Sequence, residues 1–239
     1  KHSHLNGKYT NHGDFDHDQQ QFQKILRRHG YQTVMVGKIH LPGRMQGFDY
    51  WEVLPGQGTY YDPDFITEEG RTHYPGEYVT DVITERALNW LENERDPEKP
   101  FMLMVHHKAP HRTWKPATRH MHKYADVEIP EPHNLFDDYA TRATAAHKQD
   151  MSIEDTMRLE QDLKVGGRYA DHPQYAERNA WFEKNKPTGK ALVKWKYQTY
   201  LKDFMRCTWA VDESVGRVLE ALDHLGLDDD TIVFYSSDQ

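Results

Sequence analysis

The chain is nearly free of cysteine. One thiol, Cys207, stands among 239 residues, which excludes a disulfide framework within the chain and a cysteine-rich zinc site. That scarcity suits a cytoplasm as well as a periplasm. Long apolar runs are also missing, and no stretch approaches the roughly 20 residues that a membrane-spanning helix needs. The opening residues, "KHSHLNGKYTNHGDFDHD", contain neither a signal-peptide core nor an initiator methionine, so the start reads as a cut. Positive charge is in deficit. The net charge is −8 and no basic stripe offsets the acidic excess, which argues against a general nucleic-acid binder. Mean hydropathy is −0.94, with 37% hydrophobic and 28% charged residues, a composition that implies wide polar insertions around a modest core.

What is present is an alternation of helical and strand-like segments. In "QQQFQKILRRHG", Phe22, Ile25, Leu26 and His29 recur at one-face helical spacing and Gly30 is a stop. "YQTVMVG" follows as a strand, and "KIHLPG" breaks it. The Gly/Pro/Asp-rich stretch from Leu41 to Pro75 reads mostly as loop. "EYVTDVITERALNWLENE" gives a second helix with Val79, Val82, Ile83, Ala87, Trp90 and Leu91 inward. "FMLMVHH" is a continuous apolar run, as expected of a strand buried on both faces. From about Ala117 to Pro187 the chain is polar and irregular, with short helical pieces such as "SIEDTMRLEQDL", and reads as a surface insertion. A long helix spanning Tyr197 to Leu225, then "TIVFYSS" as a final strand, close the series. This order implies right-handed crossovers and an α/β fold with a mostly parallel sheet flanked by helices.

Polar residues gather where the strands end. Lys38 and His40 follow the first strand; His106, His107, Lys108 and His111 follow the second; Asp238 and Gln239 follow the third. In a parallel sheet all three groups share one carboxyl edge, where open α/β folds place their ligands. Lysine neutralises charge, imidazole moves protons, and hard oxygen donors hold a divalent cation. Such an edge suits an oxyanion substrate. Each of these residues taken alone reads more often as a solvated loop position, so composition and periodicity lead to an α/β domain with a polar crevice and no further.

The words of the sequence lead further. "GYQTVMVGKIHL", "GFDYWEVLPGQGTYYDPDF", "FMLMVHHKAPHRTWKP" and "VDESVGRVLEALDHLGLDDDTIVFYSSDQ" together resemble the sulfatases of the alkaline phosphatase superfamily, most closely the glycan sulfatases. The likeness implies that residues 1–239 form part of a catalytic domain, interrupted by the polar stretch at about 117–187. Lys38 and His40 match the family's "GKWHL" block, with Ile39 in place of tryptophan. There the lysine contacts the sulfate and the histidine positions the nucleophile. His111 matches the "APH" histidine, which implies a general acid for the leaving alcohol. Asp238 and Gln239 match a metal-ligand pair whose second member is usually Asn or His; a glutamine carbonyl still suits calcium. The resemblance therefore implies Ca2+ and a formylglycine made from a cysteine or serine in a C-x-P/A-S-R motif. That motif is absent from these residues, and Cys207, in "RCTWAVD", does not match it. It reads as a packing residue.

The implied reaction is hydrolysis of a sulfate ester on a sulfated carbohydrate, with 6-O-sulfated N-acetylglucosamine or a glycosaminoglycan sugar as the class. His107, Arg112, Trp114 and Asp64 are the candidates for sugar contact, beside ordinary loop anchoring for each. A phosphodiesterase or phosphonate hydrolase of the same superfamily and a non-catalytic truncated relative are the alternatives. The nucleophile segment and a C-terminal subdomain are expected in the remainder of the same protein, which is therefore the partner the chain calls for. By family likeness the location is periplasmic, secreted or lysosomal.

Overall fold

The computed structural model describes Asn6, residues 8–10, Gly13, residues 15–41 and residues 43–237. These fall into two compact units, one of residues 1–108 with 211–239 and one of residues 109–210.

In the first unit the sheet grows from "QTVMVG". Strand β1 (Gln32–Gly37) is buried along almost its whole length, as its β-branched and apolar residues require of a strand covered on both faces. Strand β2 (Tyr50–Val53) and a later strand β5 (Phe101–His106) pair with it in parallel. Two short strands, β3 (Asp64–Ile66) and β4 (Arg71–His73), extend the sheet antiparallel, giving the order β4-β3-β2-β1-β5. The centre is thus parallel, as the helix–strand alternation implies. The antiparallel edge comes from the stretch that reads mostly as loop. Three-residue strands flanked by Gly, Pro and Asp leave too short a run for periodicity to register.

Helix α1 (Phe22–Arg28) ends before Gly30, which takes a φ of 86°. Its inward side chain is Gln23, whose amide donates to Gln46 O at 3.3 Å, while Phe22 is 56% exposed. Helix α2 (Val79–Asn89) continues as a π-turn over Trp90–Glu94. All six residues expected on its inner face are buried. One polar anchor joins sheet and helix. Glu52, buried on β2, accepts from Tyr50 Oη at 2.7 Å and Tyr74 Oη at 2.6 Å and pairs with Arg86 Nε of α2 at 3.1 Å. Burial and the Glu52 carboxylate push the Tyr74 hydroxyl up to about 12.

The second unit holds the polar stretch, which builds a core of its own. Leu163, Tyr169 and Tyr175 are buried there with Trp114 and Ala117. A short α3 (Thr144–His147) and α4 (Ala176–Asn185) precede α5 (Gly189–His224), a helix of 36 residues that begins earlier than its apolar stripe suggests. Its residues to Ala210 belong to this unit and those from Val211 to the first. Buried charges here are paired or hydrogen-bonded: Lys164 and Lys196 donate to backbone carbonyls. Arg178 forks onto Asp203 at 2.7 and 2.8 Å, and Arg206 joins the same carboxylate at 3.1 Å. Cys207 is buried, in agreement with its packing role.

Three local expectations are corrected. "SIEDTMRLEQDL" forms turns rather than helix, because side chains capture the backbone: Ser152 Oγ accepts from Asp155 N and Asp162 accepts from Arg158 N. Strand β5 is half-buried throughout rather than buried on both faces, since it pairs on one side only among the described residues. "TIVFYSS" forms no ladder there, and Phe234 is 88% exposed. Strand propensity describes a fit to a partner, and no partner strand lies alongside among the described residues.

Candidate active site

The parallel register sets the site. Gly37 of β1 lies opposite both Val53 of β2 and His106 of β5, so the three carboxyl ends align. Gly37 permits the closest approach. At φ +105°, a Cβ added to it would meet His106 O at 1.9 Å. Just beyond it, Lys38 N donates to His106 O at 2.8 Å, and the His106 ring returns the contact with Nδ1 3.2 Å from Lys38 O. A carbonyl only accepts, so His106 carries a proton on Nδ1. Lys38 is therefore held at both ends of its own peptide by β5.

His40 sits two residues on with a positive φ of 50° and an exposed ring. Gln57 Nε2 lies 3.3 Å from its Nδ1 and 3.4 Å from its Nε2. Gln57 is itself pinned, because the buried Lys108 donates through Nζ to Gln57 O at 2.9 Å while lying 5.1 Å from the Tyr60 ring centre. A cavity of about 260 Å³ is lined by Lys8, Tyr9, Thr10, His40 and Leu41. The end of β5 thus fixes Lys38 through His106, and His40 through Lys108 and Gln57. None of the anchors His106, Lys108 and Gln57 had a distinguishing signal in the sequence beyond proximity to a strand end.

His107, put forward for sugar contact, turns the other way. Its Nε2 lies 3.2 Å from Ser214 Oγ, which is 2.6 Å from Thr84 Oγ1, itself 2.7 Å from Thr80 O. Thr84 can give its one proton only to that carbonyl, so Ser214 donates to Thr84 and accepts from His107 Nε2–H. Nδ1 is left as a buried acceptor without a hydrogen-bond partner among the described residues. Burial, with His106 adding to it, pushes the ring down to about 4, so it is neutral near pH 7. Asp64, on β3, is engaged across the strand pair with His73 Nδ1 at 2.9 Å and Arg71 at 3.5 Å.

His111, Arg112 and Trp114 belong to the second unit. His111 is exposed and directs Nδ1 onto Arg112 O. The Arg112 guanidinium forks onto the buried Asp162 at 2.7 and 2.6 Å and reaches Thr156 O at 2.5 Å. The fork holds the Asp162 carboxyl below its usual range, against the opposing effect of burial. Trp114 is buried, donates through Nε1 to Pro110 O at 2.7 Å and packs on Tyr200. Arg112 and Trp114 therefore brace the loop that carries His111. Asp238 and Gln239 lie outside the described residues. Among the described residues no three His, Cys, Asp or Glu side chains group as a metal site, and no helix is long and apolar enough to cross a membrane.

These features define an α/β protein with lysine and imidazole gathered at the carboxyl edge of a parallel sheet centre. The sulfatase family profile matches residues 2–239. The chain belongs to the sulfatase family. It is 46% identical over 265 aligned residues to an N-acetylglucosamine-6-O-sulfatase of Bacteroides thetaiotaomicron, covering 100% of this chain and 47% of that protein. An ulvan-active sulfatase of Formosa agariphila is 26% identical over 90% of this chain and 34% of its own length. A solved structure in complex with its substrate D-glucosamine-2-N,6-O-disulfate superposes with a TM-score of 0.91 at 44% identity, over 97% of this chain and 52% of that one. The chain spans about half the length of the N-acetylglucosamine-6-O-sulfatase and of the superposed structure.

Proposed function

We propose that the whole protein containing this chain hydrolyses a sulfate ester on a glucosamine-type sugar, with 6-O-sulfated N-acetylglucosamine as the substrate class. The observation that carries the reading is the 46% identity, over the whole of this chain and 47% of the relative, to an N-acetylglucosamine-6-O-sulfatase, together with a TM-score of 0.91 to a structure holding a 6-O-sulfated glucosamine. Membership of the sulfatase family favours sulfate over phosphate ester as the scissile group.

In this reading Lys38 places its ammonium against the sulfuryl oxygens, where negative charge concentrates as the ester bond breaks. Its peptide is fixed to β5 by two hydrogen bonds, so the cation needs little reorganisation. His40 is steadied by Gln57 and holds the attacking group in line. His111 gives its Nε2 proton to the departing sugar oxygen. When bound, calcium and the hydrated formylglycine supply positive charge and the attacking oxygen. Asp238 and Gln239 are the hard oxygen donors this chain would contribute to the metal. Cys207 does not fit the nucleophile, being buried within α5, and that residue belongs to the rest of the protein. A periplasmic, secreted or lysosomal site of action completes the proposal.

The test is sulfate release by the complete protein. N-acetylglucosamine-6-sulfate should be hydrolysed, and His111→Ala should slow it by about 100-fold or more. The same variant should slow an aryl sulfate, whose leaving group needs no proton, far less. Equal losses on both substrates would remove the general-acid role. No sulfate release from any 6-O-sulfated glucosamine would refute the function.

A further inference from the structure

The corner formed by α4 and α5 in the second unit departs from the rest of the chain in two ways. The first is aromatic. Trp181 of α4 and Trp195 of α5 stack with ring centres 5.8 Å apart and an angle of only 8° between planes, and Phe182 packs against Trp195 at 4.9 Å. Trp181 is 45% exposed. One wide ring thus stays in water.

The second is charge. Between Lys184 and Lys202 the chain carries six lysines and no acidic residue, a local exception in a chain of net charge −8. Lys196 and Lys202 are spent on backbone carbonyls, Glu154 O and Ala125 O. Lys194 pairs with Glu131 at 2.7 Å, which leaves Lys184, Lys186 and Lys190 on the surface. Lys184, one turn on from Trp181 and so on the same side of α4, is exposed and forms no ion pair among the described residues. Lys186 is only loosely paired with Glu183 at 3.7 Å, and Lys190 lies over the Phe136 ring at 5.1 Å. Exposed pairs of this kind hold charge weakly.

A flat, exposed indole with Lys184 on the same side of its helix, in a stretch rich in lysine, is complementary to a ligand that has both apolar flat faces and negative charge. Sugar rings present C–H faces that stack on indole, and sulfate groups present the charge. We propose that the α4–α5 corner is an auxiliary binding surface for the chain of a sulfated glycan, with Trp181 as the stacking platform and Lys184, Lys186 and Lys190 as the sulfate contacts. The choice of a glycan over other polyanions rests on the sulfatase reading above. The surface captures a polymer; the reaction itself does not depend on it.

The experiment uses the complete protein titrated with a size-defined heparin octasaccharide, its chemically desulfated counterpart, polyglutamate and single-stranded DNA. The wild type should bind the sulfated octasaccharide best, and binding should weaken as salt rises. Trp181→Ala should weaken it by about tenfold, the equivalent of one stacked ring. Lys184→Glu, a surface change that spares the helix packing, should weaken it several-fold and flatten the salt dependence. Turnover of monosaccharide N-acetylglucosamine-6-sulfate should be unchanged in both variants. If that substrate is not hydrolysed by the wild type, the catalytic reading fails while the titration still reports on the surface. Unchanged octasaccharide affinity in both variants, as when another part of the protein covers the corner, would overturn the proposal. So would equal or tighter binding of polyglutamate or DNA.

Discussion

Gly37 is the position at which fold and chemistry meet most closely, and replacing it with alanine tests both. Its φ of +105° is one that side-chain-bearing residues rarely adopt, and an added Cβ would lie 1.9 Å from the backbone oxygen of His106. That oxygen belongs to a strand and cannot swing aside as a side chain would. β1 and β5 must part at this register. Left-handed strain alone costs about 1–2 kcal/mol in an alanine. Losing the 2.8 Å bond from Lys38 N to His106 O adds about 1 kcal/mol. The total is about 2–3 kcal/mol, and it falls on the peptide that holds Lys38. Gly37→Ala should therefore lower the urea midpoint of the complete protein and, in whatever fraction stays folded, cut sulfate release by more than tenfold. Gly30→Ala is the control, because its φ is also positive but a Cβ there meets nothing within 4 Å. That variant should lose stability through strain alone and keep its turnover. If Gly37→Ala lost under 1 kcal/mol with full activity, the account of how β5 positions Lys38 would be wrong.

Two further outcomes follow from buried groups. Glu52→Gln strips the carboxylate from Arg86 and two tyrosine hydroxyls; since Arg86 is a third exposed, the loss should be about 2 kcal/mol rather than the larger cost of a fully buried pair, read by chemical denaturation. A loss below 0.5 kcal/mol would mean that the anchor contributes nothing. His107 is held down at about 4 from an ordinary value of 6.5, so its contribution to stability is complete above about pH 6.5 and is lost as pH falls towards 4, where the unfolded chain binds a proton the folded ring refuses. Thermal midpoints measured across that window should fall less steeply in His107→Gln than in the wild type. Parallel curves would sink the assignment.

How much of this was legible in the sequence depends on the length over which a pattern repeats. Helix α2 and strand β1 announce themselves because many residues agree on one face or one run, and the burial of Val79, Val82, Ile83, Ala87, Trp90 and Leu91 follows the spacing. In α1 the same spacing misleads. Seven residues give too few turns to outvote one side-chain bond, and Gln23 goes inward because Gln46 O is there to receive it. β3 and β4 are invisible for a related reason: each has three residues, and their pairing is decided by the turn between them rather than by alternation. Thr231–Tyr235 has the composition of a strand and no ladder among the described residues, since propensity cannot supply a neighbour.

The site shows the same division in a sharper form. Lys38, His40 and His111 stood out because their neighbours spell blocks that resemble a family, and the resemblance carries roles that no spacing could give. The residues that hold them do not. His106, Lys108 and Gln57 act on the Lys38–His40 loop through backbone oxygens and one amide, contacts that depend on the register Gly37↔His106 and on nothing a one-dimensional pattern records. Arg112 and Trp114 are the instructive pair. An arginine and an indole beside His111 look made for a sugar, yet Asp162 lies 50 residues away in sequence and takes the guanidinium in a fork, and Pro110 O takes the indole N–H. A buried carboxylate demands a partner more strongly than an open subsite does, because leaving it unpaired costs several kcal/mol. The stable arrangement is therefore the one in which these side chains brace the His111 loop.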